Sequence, residues 1–424
     1  MLEWLPLGEL MRDTLLVLTF IAALAIIAVG AMLGLCGIPL GLFSGGPEMV
    51  TLVSLSASLS VLSLALGSAS AWHAWHALRG DPSAAFRPTR IWPLAILFLL
   101  ALALGQAMLS LSLLPALTFP LLHIAAAVLP ALFIVALAGR ALGGVASWRD
   151  MVLQTACGAF LATPLAFVLE ATAMLLIASA TLLGLALQPG GQDLLLKVTS
   201  YLQDPTWLQD PQALGSALLT PGIIAAAIAV LAGIIPLLEE AVKTVGVGLA
   251  AYRQPSLPQT VLWGTAAGAG FAITEGLLNA AGSLDTWLPV VALRVGTTLL
   301  HCTTGALMGL AWYHVLAHRR WRRALALYLL SIAVHGLWNA LAVGMALPSL
   351  QTIANPTGEG QLAAGLGTFF ILLLLGGLIF ALAAAFGGLI VHARRQTLAA
   401  APASRQEHPA SNPALSSESA VPEE

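Results

Sequence analysis

The sequence predicts an all-α protein, a polytopic transmembrane bundle of about ten membrane-spanning helices. Three observations predict it. Hydrophobic residues make up 59% of the 424 and charged residues only 8%, whereas soluble domains carry about 25% charged residues. The mean hydropathy is +0.92. Apolar windows of about 20 residues, the length that crosses a bilayer, recur along the chain. The net charge of −2, with no long run of Lys and Arg, indicates no nucleic-acid partner.

The predicted spans follow these windows in order. The first is longer than the hydrophobic core of a signal peptide and lacks a small-residue cleavage site, so we interpret it as an uncleaved span. The fifth and sixth are overlong, and we expect them to tilt, kink or project beyond the bilayer. The ten spans are 14–36, 50–71, 92–113, 119–139, 152–187, 219–250, 260–281, 288–316, 324–347 and 363–392.

The loops predict the orientation, because cytoplasmic loops carry an excess of Lys and Arg. Arginines lie in the segments after spans 2, 4, 6, 8 and 10. Among the alternate loops, the one basic residue is Lys197. Both termini are therefore predicted to be cytoplasmic. The lipid bilayer is therefore an expected partner, because all ten spans are expected to lie in it.

This interpretation divides the chain into five parts. Residues 188–218 are expected to form an extracytoplasmic loop with a short interfacial helix. The last residues, rich in Ala, Ser, Pro and Glu, are expected to form a disordered cytoplasmic tail. The predicted parts are 1–150 (spans 1–4), 151–218 (span 5 and the loop), 219–347 (spans 6–9), 348–395 (the last span) and 396–424 (the tail).

Spans 6 to 9 contain ionisable residues that a bilayer rarely accepts. Residues 234–246, IIPLLEEAVKTVG, place two glutamates and a lysine in an otherwise apolar stretch. Each such charge costs roughly 2.5–3.5 kcal/mol at a helix centre, so it usually has a function. The set is Glu239, Glu240 and Lys243 in span 6, Glu275 in span 7, Arg294 and His301 in span 8, and His335 and Asn339 in span 9.

These acids and imidazoles are predicted to lie at similar depth. At about 1.5 Å per helical residue, their distances from the cytoplasmic ends of their spans are roughly 21 Å for Glu239, 25 Å for Glu275, 27 Å for His301 and 18 Å for His335. Four consecutive antiparallel spans therefore bring them within about 10 Å of one another in depth, near the middle of a hydrocarbon core about 30 Å thick.

Helical spacing indicates how the charges in span 6 pair. Lys243 lies four residues after Glu239 and three after Glu240, and both spacings favour ion pairs. The two glutamates point about 100° apart, so one can pair with Lys243 while the other faces a cavity. Three acids against two bases would be balanced by a divalent cation or a shared proton. Glycines that allow close helix contact stand at Gly264, Gly268 and Gly270 in span 7 and at Gly305 and Gly309 in span 8.

Four short motifs carry a resemblance to a known family. They are EEAVK at 239–243, GTAAGAGFAITEG at 264–276, RVGTTLLH at 294–301 and HGLWN at 335–339. In this order on successive helices, they resemble the PrsW family of intramembrane proteases, which is related to the CAAX-prenyl proteases and bacteriocin-processing enzymes. The resemblance covers about residues 230–345. It departs at Gly276, where an asparagine is expected after the glutamate, and Asn279 one turn later can replace that amide.

The resemblance implies an intramembrane endopeptidase in a bacterial plasma membrane. Its substrate would be a membrane-anchored protein, with anti-sigma factors as the known type in regulated proteolysis. Such hydrolysis needs an activated water, a proton carrier and a donor to the oxyanion. The active site is therefore expected between four consecutive helices, spans 6 to 9.

The roles that we assign within this site follow from the motifs. Glu239 is predicted to activate water and Glu240 to be held by Lys243, although the two glutamates can exchange roles. Glu275 is a second carboxylate, and Arg294 balances charge or positions substrate. Phe271 shares a face with Glu275, and Asn339 is expected to orient the histidines. His301, His335 and Glu275 are candidate ligands of a divalent metal such as zinc, although a metal-free glutamate–histidine mechanism uses the same residues.

Two other functions compete with this hypothesis. A CAAX-type membrane protease typically has E-E-x-x-x-R and F-x-x-x-H motifs, and Lys243 and Glu275 stand in the diagnostic places instead. A non-enzyme, either an ion or proton transporter or a scaffold with a degenerate site, would also contain buried charges. The absence of obvious internal repeats disfavours a transporter, and the intact motif set disfavours a degenerate site.

Overall fold

The computed structural model describes residues 5–45, 48–112, 115–188, 210–282, 284–354 and 357–400, together with residues 192, 193, 196, 199, 200 and 203. Within these residues the protein is helical and forms no β-strand. In the described part of the chain, ten helices are long and apolar enough to cross a membrane, which confirms the predicted all-α polytopic class. These are Glu9–Ser44, Glu48–Leu78, Trp92–Leu111, Pro115–Leu142, Trp148–Gly184, Pro221–Arg253, Leu257–Ala281, Leu284–His318, Trp321–Ala354 and Gly358–Leu398, here spans 1 to 10.

Among the described residues, three spans are interrupted by π-helical turns, and each turn ends two residues before a proline. The prolines are Pro39, Pro164 and Pro236. A proline cannot donate to the carbonyl four residues before it, and its ring crowds that carbonyl, so the preceding turn widens. Span 1 comprises Leu5–Met32, the turn Leu33–Gly37 and Ile38–Ser44; span 5 comprises Trp148–Cys157, the turn Gly158–Ala162 and Thr163–Leu187; span 6 comprises Pro221–Ile228, the turn Ala229–Ile234, Ile235–Val242, Val245–Leu249 and the 3-10 turn Ala250–Arg253.

Span 7 lies at the centre of the bundle. Nearly all of its residues are buried, and it packs against spans 2, 4, 5, 8 and 10. Its small residues allow this contact, because a methyl group at Gly264 would overlap the backbone of Gly305 in span 8. A methyl group at Gly268 would likewise overlap the carbonyl of His301. The close approach that the glycine pattern predicted is therefore present at the level of the ionisable residues.

Two predicted segments lie partly outside the described residues. In the loop predicted at 188–218, a short helix, Pro211–Leu218, packs on span 9, and most residues before it are outside the description. The helix of span 10 continues to Ala400, so the first five residues assigned to the tail are helical. Residues 401–424, the rest of the predicted tail, are outside the described part of the chain.

Candidate active site

The second half of span 6 places three charged side chains in the protein interior. Glu239, Glu240 and Lys243 are all buried, with exposed fractions of 4%, 0% and 0%. Lys243 Nζ contacts Glu240 Oε1 in a buried ion pair, and Glu239 makes no ion pair with it. Because adjacent helical residues point about 100° apart, pairing through Glu240 leaves Glu239 directed elsewhere. The structure therefore distinguishes the two glutamates that the sequence left interchangeable.

Glu240 connects three helices through one of its oxygens. Besides Lys243, its Oε1 accepts a hydrogen bond from Thr304 Oγ1 of span 8 at 3.1 Å and contacts His335 Nδ1 of span 9 at 2.8 Å. Since a carboxylate has no hydrogen to donate, the ring nitrogen Nδ1 of His335 is the donor. This bond fixes the His335 ring and leaves Nε2 with its lone pair free.

A second carboxylate holds the other histidine. Glu275 Oε2 of span 7 lies 2.7 Å from His301 Nε2 of span 8. Arg294 donates to Glu275 Oε1 at 2.9 Å, and its second terminal nitrogen lies 2.9 Å from Oε2. The side chain of Asn279 also donates to Glu275 Oε1, at 3.1 Å, so it contacts the carboxylate from one turn beyond Gly276. The open ring nitrogen of His301 is therefore Nδ1.

Glu239 faces the two imidazoles. The rings of His301 and His335 meet edge to face with centroids 5.1 Å apart, and Glu239 Oε2 lies 3.6 Å from His335 Nε2. One ligand atom from each of these three residues lies within 4.8 Å of the other two. Glu239 Oε2 and His301 Nδ1 are both buried and have no hydrogen-bond partner. Buried polar atoms are rarely left unpaired, so these atoms indicate a site for a bound group.

The donor set fits a divalent metal. Two imidazoles and one carboxylate form a known catalytic zinc set that keeps a position open for water or substrate. Each histidine also gives its other nitrogen to a carboxylate, which is the usual arrangement behind metal-binding histidines. The ligand set predicted from the sequence contained Glu275, whereas the structure places Glu239 beside the two histidines. The reason is that Glu275 is occupied by Arg294 and by the far nitrogen of His301.

Two supporting residues, Phe271 and Asn339, make contacts that the sequence did not fully predict. Phe271 packs against the His301 ring at 5.2 Å between centroids, and Lys243 Nζ lies 5.0 Å from the Phe271 ring centre. Asn339 was expected to orient a histidine, but its side-chain amide donates to the backbone carbonyl of Leu231 at 2.8 Å. Leu231 belongs to the π-helical turn of span 6, where carbonyls are released from regular helical bonding. Asn339 therefore ties span 9 to span 6.

The structure adds two residues to the predicted group. Thr304 lies three residues after His301, and this spacing on one helix face was the available signal. Glu170 of span 5 is buried at 8% exposure beside Glu239. A straight helix counted from Arg149 would place Glu170 about 31 Å away, near the outer interface. Span 5 is too long and too distorted by its π-helical turn for that estimate.

The comparison with known families agrees with the position of this site. Residues 209–375 match the family model described as PrsW family intramembrane metalloprotease. No curated protein and no solved structure matches the chain. The matched residues contain the whole of spans 6 to 9, with every residue of the Glu–His–His group. Residues 209–375, with the site that they contain, are therefore similar to the PrsW family of intramembrane metalloproteases.

Proposed function

We propose that this protein hydrolyses peptide bonds of membrane-anchored proteins within the bilayer, at a site where Glu239, His301 and His335 hold a divalent metal, with zinc as the best fit. One observation carries the proposal: three buried ligand atoms from three helices lie within 4.8 Å of one another. The match of residues 209–375 to the family model supports the reaction class. The donor chemistry supports the metal.

A zinc ion bound there would polarise the scissile carbonyl and lower the pKa of the attacking water. The chain itself supplies the orientation. Glu240 and Glu275 accept hydrogen bonds from the far nitrogens of His335 and His301, so the nitrogens facing Glu239 remain lone-pair donors. This geometry requires both imidazoles to be neutral.

Glu239 is the carboxylate that we assign to the metal and, in a metal-free mechanism, to the reacting water. Glu240 is held by Lys243, Thr304 and His335, which all contact its Oε1. Glu275 is engaged by Arg294 and His301. Glu239 is distinguished by its position, because its Oε2 lies 3.6 Å from the open nitrogen Nε2 of His335 and it is the acid grouped with both imidazoles. In a metal-free variant of this mechanism, Glu239 acts as general base and the histidines bind the oxyanion.

Charge balance also supports a bound cation. Three acidic side chains, Glu239, Glu240 and Glu275, are grouped with two permanent cations, Lys243 and Arg294. Uncompensated charges are strongly disfavoured in a protein interior. A divalent ion would offset the excess of negative charge.

For the substrate, we propose a membrane-anchored signalling protein cut in regulated proteolysis, of which an anti-sigma factor is the type that the family resemblance implies. A comparison of membrane proteomes between wild-type cells and cells carrying Glu239→Gln addresses this. The substrate is expected to accumulate uncut only in the variant. A set of membrane proteins that is unchanged between the two strains contradicts the proposed activity.

The site itself is tested on the purified full chain. We expect about one equivalent of zinc per chain, inhibition of cleavage by a chelator, and loss of both zinc and cleavage in Glu239→Ala and His335→Ala. His318→Ala, an exposed histidine at the end of span 8, is the matched control. Active enzyme without metal would favour the glutamate mechanism. Unchanged turnover in both site variants would refute the site.

A further inference from the structure

Glu170 is a buried acid that the proposed mechanism does not use. It lies in span 5, in the helix Thr163–Leu187, and its side chain is more than nine-tenths buried. Its Oε1 has no hydrogen-bond partner. A carboxyl group inside a membrane protein is rarely kept without a specific contact or function.

The packing of span 5 directs this side chain toward the site. The helix Thr163–Leu187 packs on the helix Ile235–Val242 that contains Glu239. One turn before Glu170, Ala166 is fully buried against Phe271, with Val242 packed on the same cluster. Residues four apart share a helix face, so Glu170 lies on the face that meets the site.

The Glu239 carboxyl is the hydrogen-bonding side chain that acts on Glu170, and the charge of Glu275 acts on it as well. The helices that carry Glu170 and Glu239 pack directly on each other. Glu239 is otherwise free of the hydrogen bonds that fix Glu240 and Glu275. A carboxylate that approaches two imidazoles from span 6 needs a second contact to hold its orientation, as ligating carboxylates usually have.

We propose that Glu170 is a positioning residue, which hydrogen-bonds the Glu239 carboxyl and holds it facing His301 and His335. The inference rests on the proposed function of that site. It also extends the site beyond the matched residues 209–375 to a fifth helix. Span 5 would then be part of the active centre and not only a neighbouring lipid-facing helix.

The substitutions Glu170→Gln, Glu170→Met and Glu170→Ala separate the possible roles. A glutamine amide can donate to Glu239, whereas methionine fills the same space without a donor. If Glu170 positions Glu239, Glu170→Met and Glu170→Ala should each weaken zinc affinity by about 10–100-fold. Glu170→Gln should stay within a few-fold of wild type. Thr172→Ala, which removes an exposed hydroxyl from the same helix, is the matched control.

Zinc affinity of the purified full chain is measured by competition with a chromophoric chelator, and peptide cleavage is measured in parallel. Glu239→Ala and His335→Ala are included as reference variants. If both lose zinc and activity while Glu170→Met and Glu170→Ala behave as wild type, the role of Glu170 is overturned and the site stands. If Glu170→Gln is as impaired as Glu170→Met, a positioning role is also wrong. If the reference variants keep zinc and activity, the proposed function itself fails.

Discussion

The two histidines of the site are held in the same way but in different surroundings. His335 is backed by Glu240, which Lys243 neutralises, and all three side chains are sealed from solvent and lipid. His301 is itself buried, but the side chains of its partners Glu275 and Arg294 are 17% and 15% exposed. We call these the inner and the outer histidine pair.

The different exposure of the two pairs indicates that they have separate roles. Ions in the inner pair have no access to water, so each depends entirely on its partner. The charged side chains of the outer pair, Glu275 and Arg294, are partly exposed at the surface of the protein. The inner pair is therefore expected to matter most for folding, and the outer pair to lie closer to where substrate arrives. Both should matter equally for the chemistry, since each orients one of the two imidazoles.

The largest expected effect tests that equality. His301→Ala and His335→Ala should each reduce cleavage below detection, because either change removes one of three ligands from the Glu–His–His group. Cleavage of a membrane-anchored substrate by purified protein measures this, with His318→Ala as control. A wild-type rate in either variant would show that the two pairs are not equivalent.

Removing the cation of each pair, Lys243 or Arg294, should lower the stability of the protein by different amounts. Lys243→Ala leaves Glu240 buried and unpaired, and breaking a buried ion pair in this way costs about 3–5 kcal/mol. Arg294→Ala should cost clearly less, because its pair with Glu275 is partly exposed and Asn279 still donates to the carboxylate. Thermal unfolding of both variants in the same detergent gives the comparison. Equal destabilisation would contradict the distinction between a sealed and an open pair.

Conservative changes of the two backing carboxylates should have intermediate effects. Glu240→Gln and Glu275→Gln are each expected to weaken zinc binding by about 10–100-fold, because these groups orient the two histidines that we propose as metal ligands. The loss should be greater for Glu240→Gln, since that variant also leaves Lys243 without a countercharge. Zinc titration against a competing chelator measures both, and a larger loss for Glu275→Gln would reverse our ranking.

The smallest expected effect concerns the backbone that carries the outer histidine. Gly268→Ala would place a methyl group against the carbonyl of His301 and should cost about 1–3 kcal/mol of stability. Gly276→Ala is the matched control, because the nearest atom to its added methyl group would be Arg294 Nε at 3.8 Å. Thermal unfolding again provides the measurement, and identical midpoints for the two variants would exclude a tight contact at Gly268.

Much of this arrangement follows from patterns that are local in the sequence. Apolar windows predicted ten spans, and the structure contains ten helices suited to cross a membrane. Helical depth estimates predicted that Glu239, Glu275, His301 and His335 would lie at one level, and the contacts among them are consistent with it. Depth could be estimated because rise per residue is nearly constant in a regular helix.

Other features were not accessible in this way. Asn339 was assigned to a histidine, and Glu275 was included among the metal ligands, but the structure places both elsewhere. Each assignment depended on the rotation of one helix relative to another, which spacing along a single helix does not give. Glu170 was not among the predicted site residues, and a depth counted along a straight helix does not hold in a span with a π-helical turn.

The sequence by itself determined that this protein lies in a lipid bilayer, that it is helical, and which residues a bilayer would not accept without a function. Those properties depend on composition and on the regular geometry of isolated helices. Only the tertiary structure decided that Glu240 pairs with Lys243, that Glu239 faces the histidines, and that Glu170 lies beside it. These choices depend on how five helices are rotated against one another, and that rotation is set by close packing across the whole bundle.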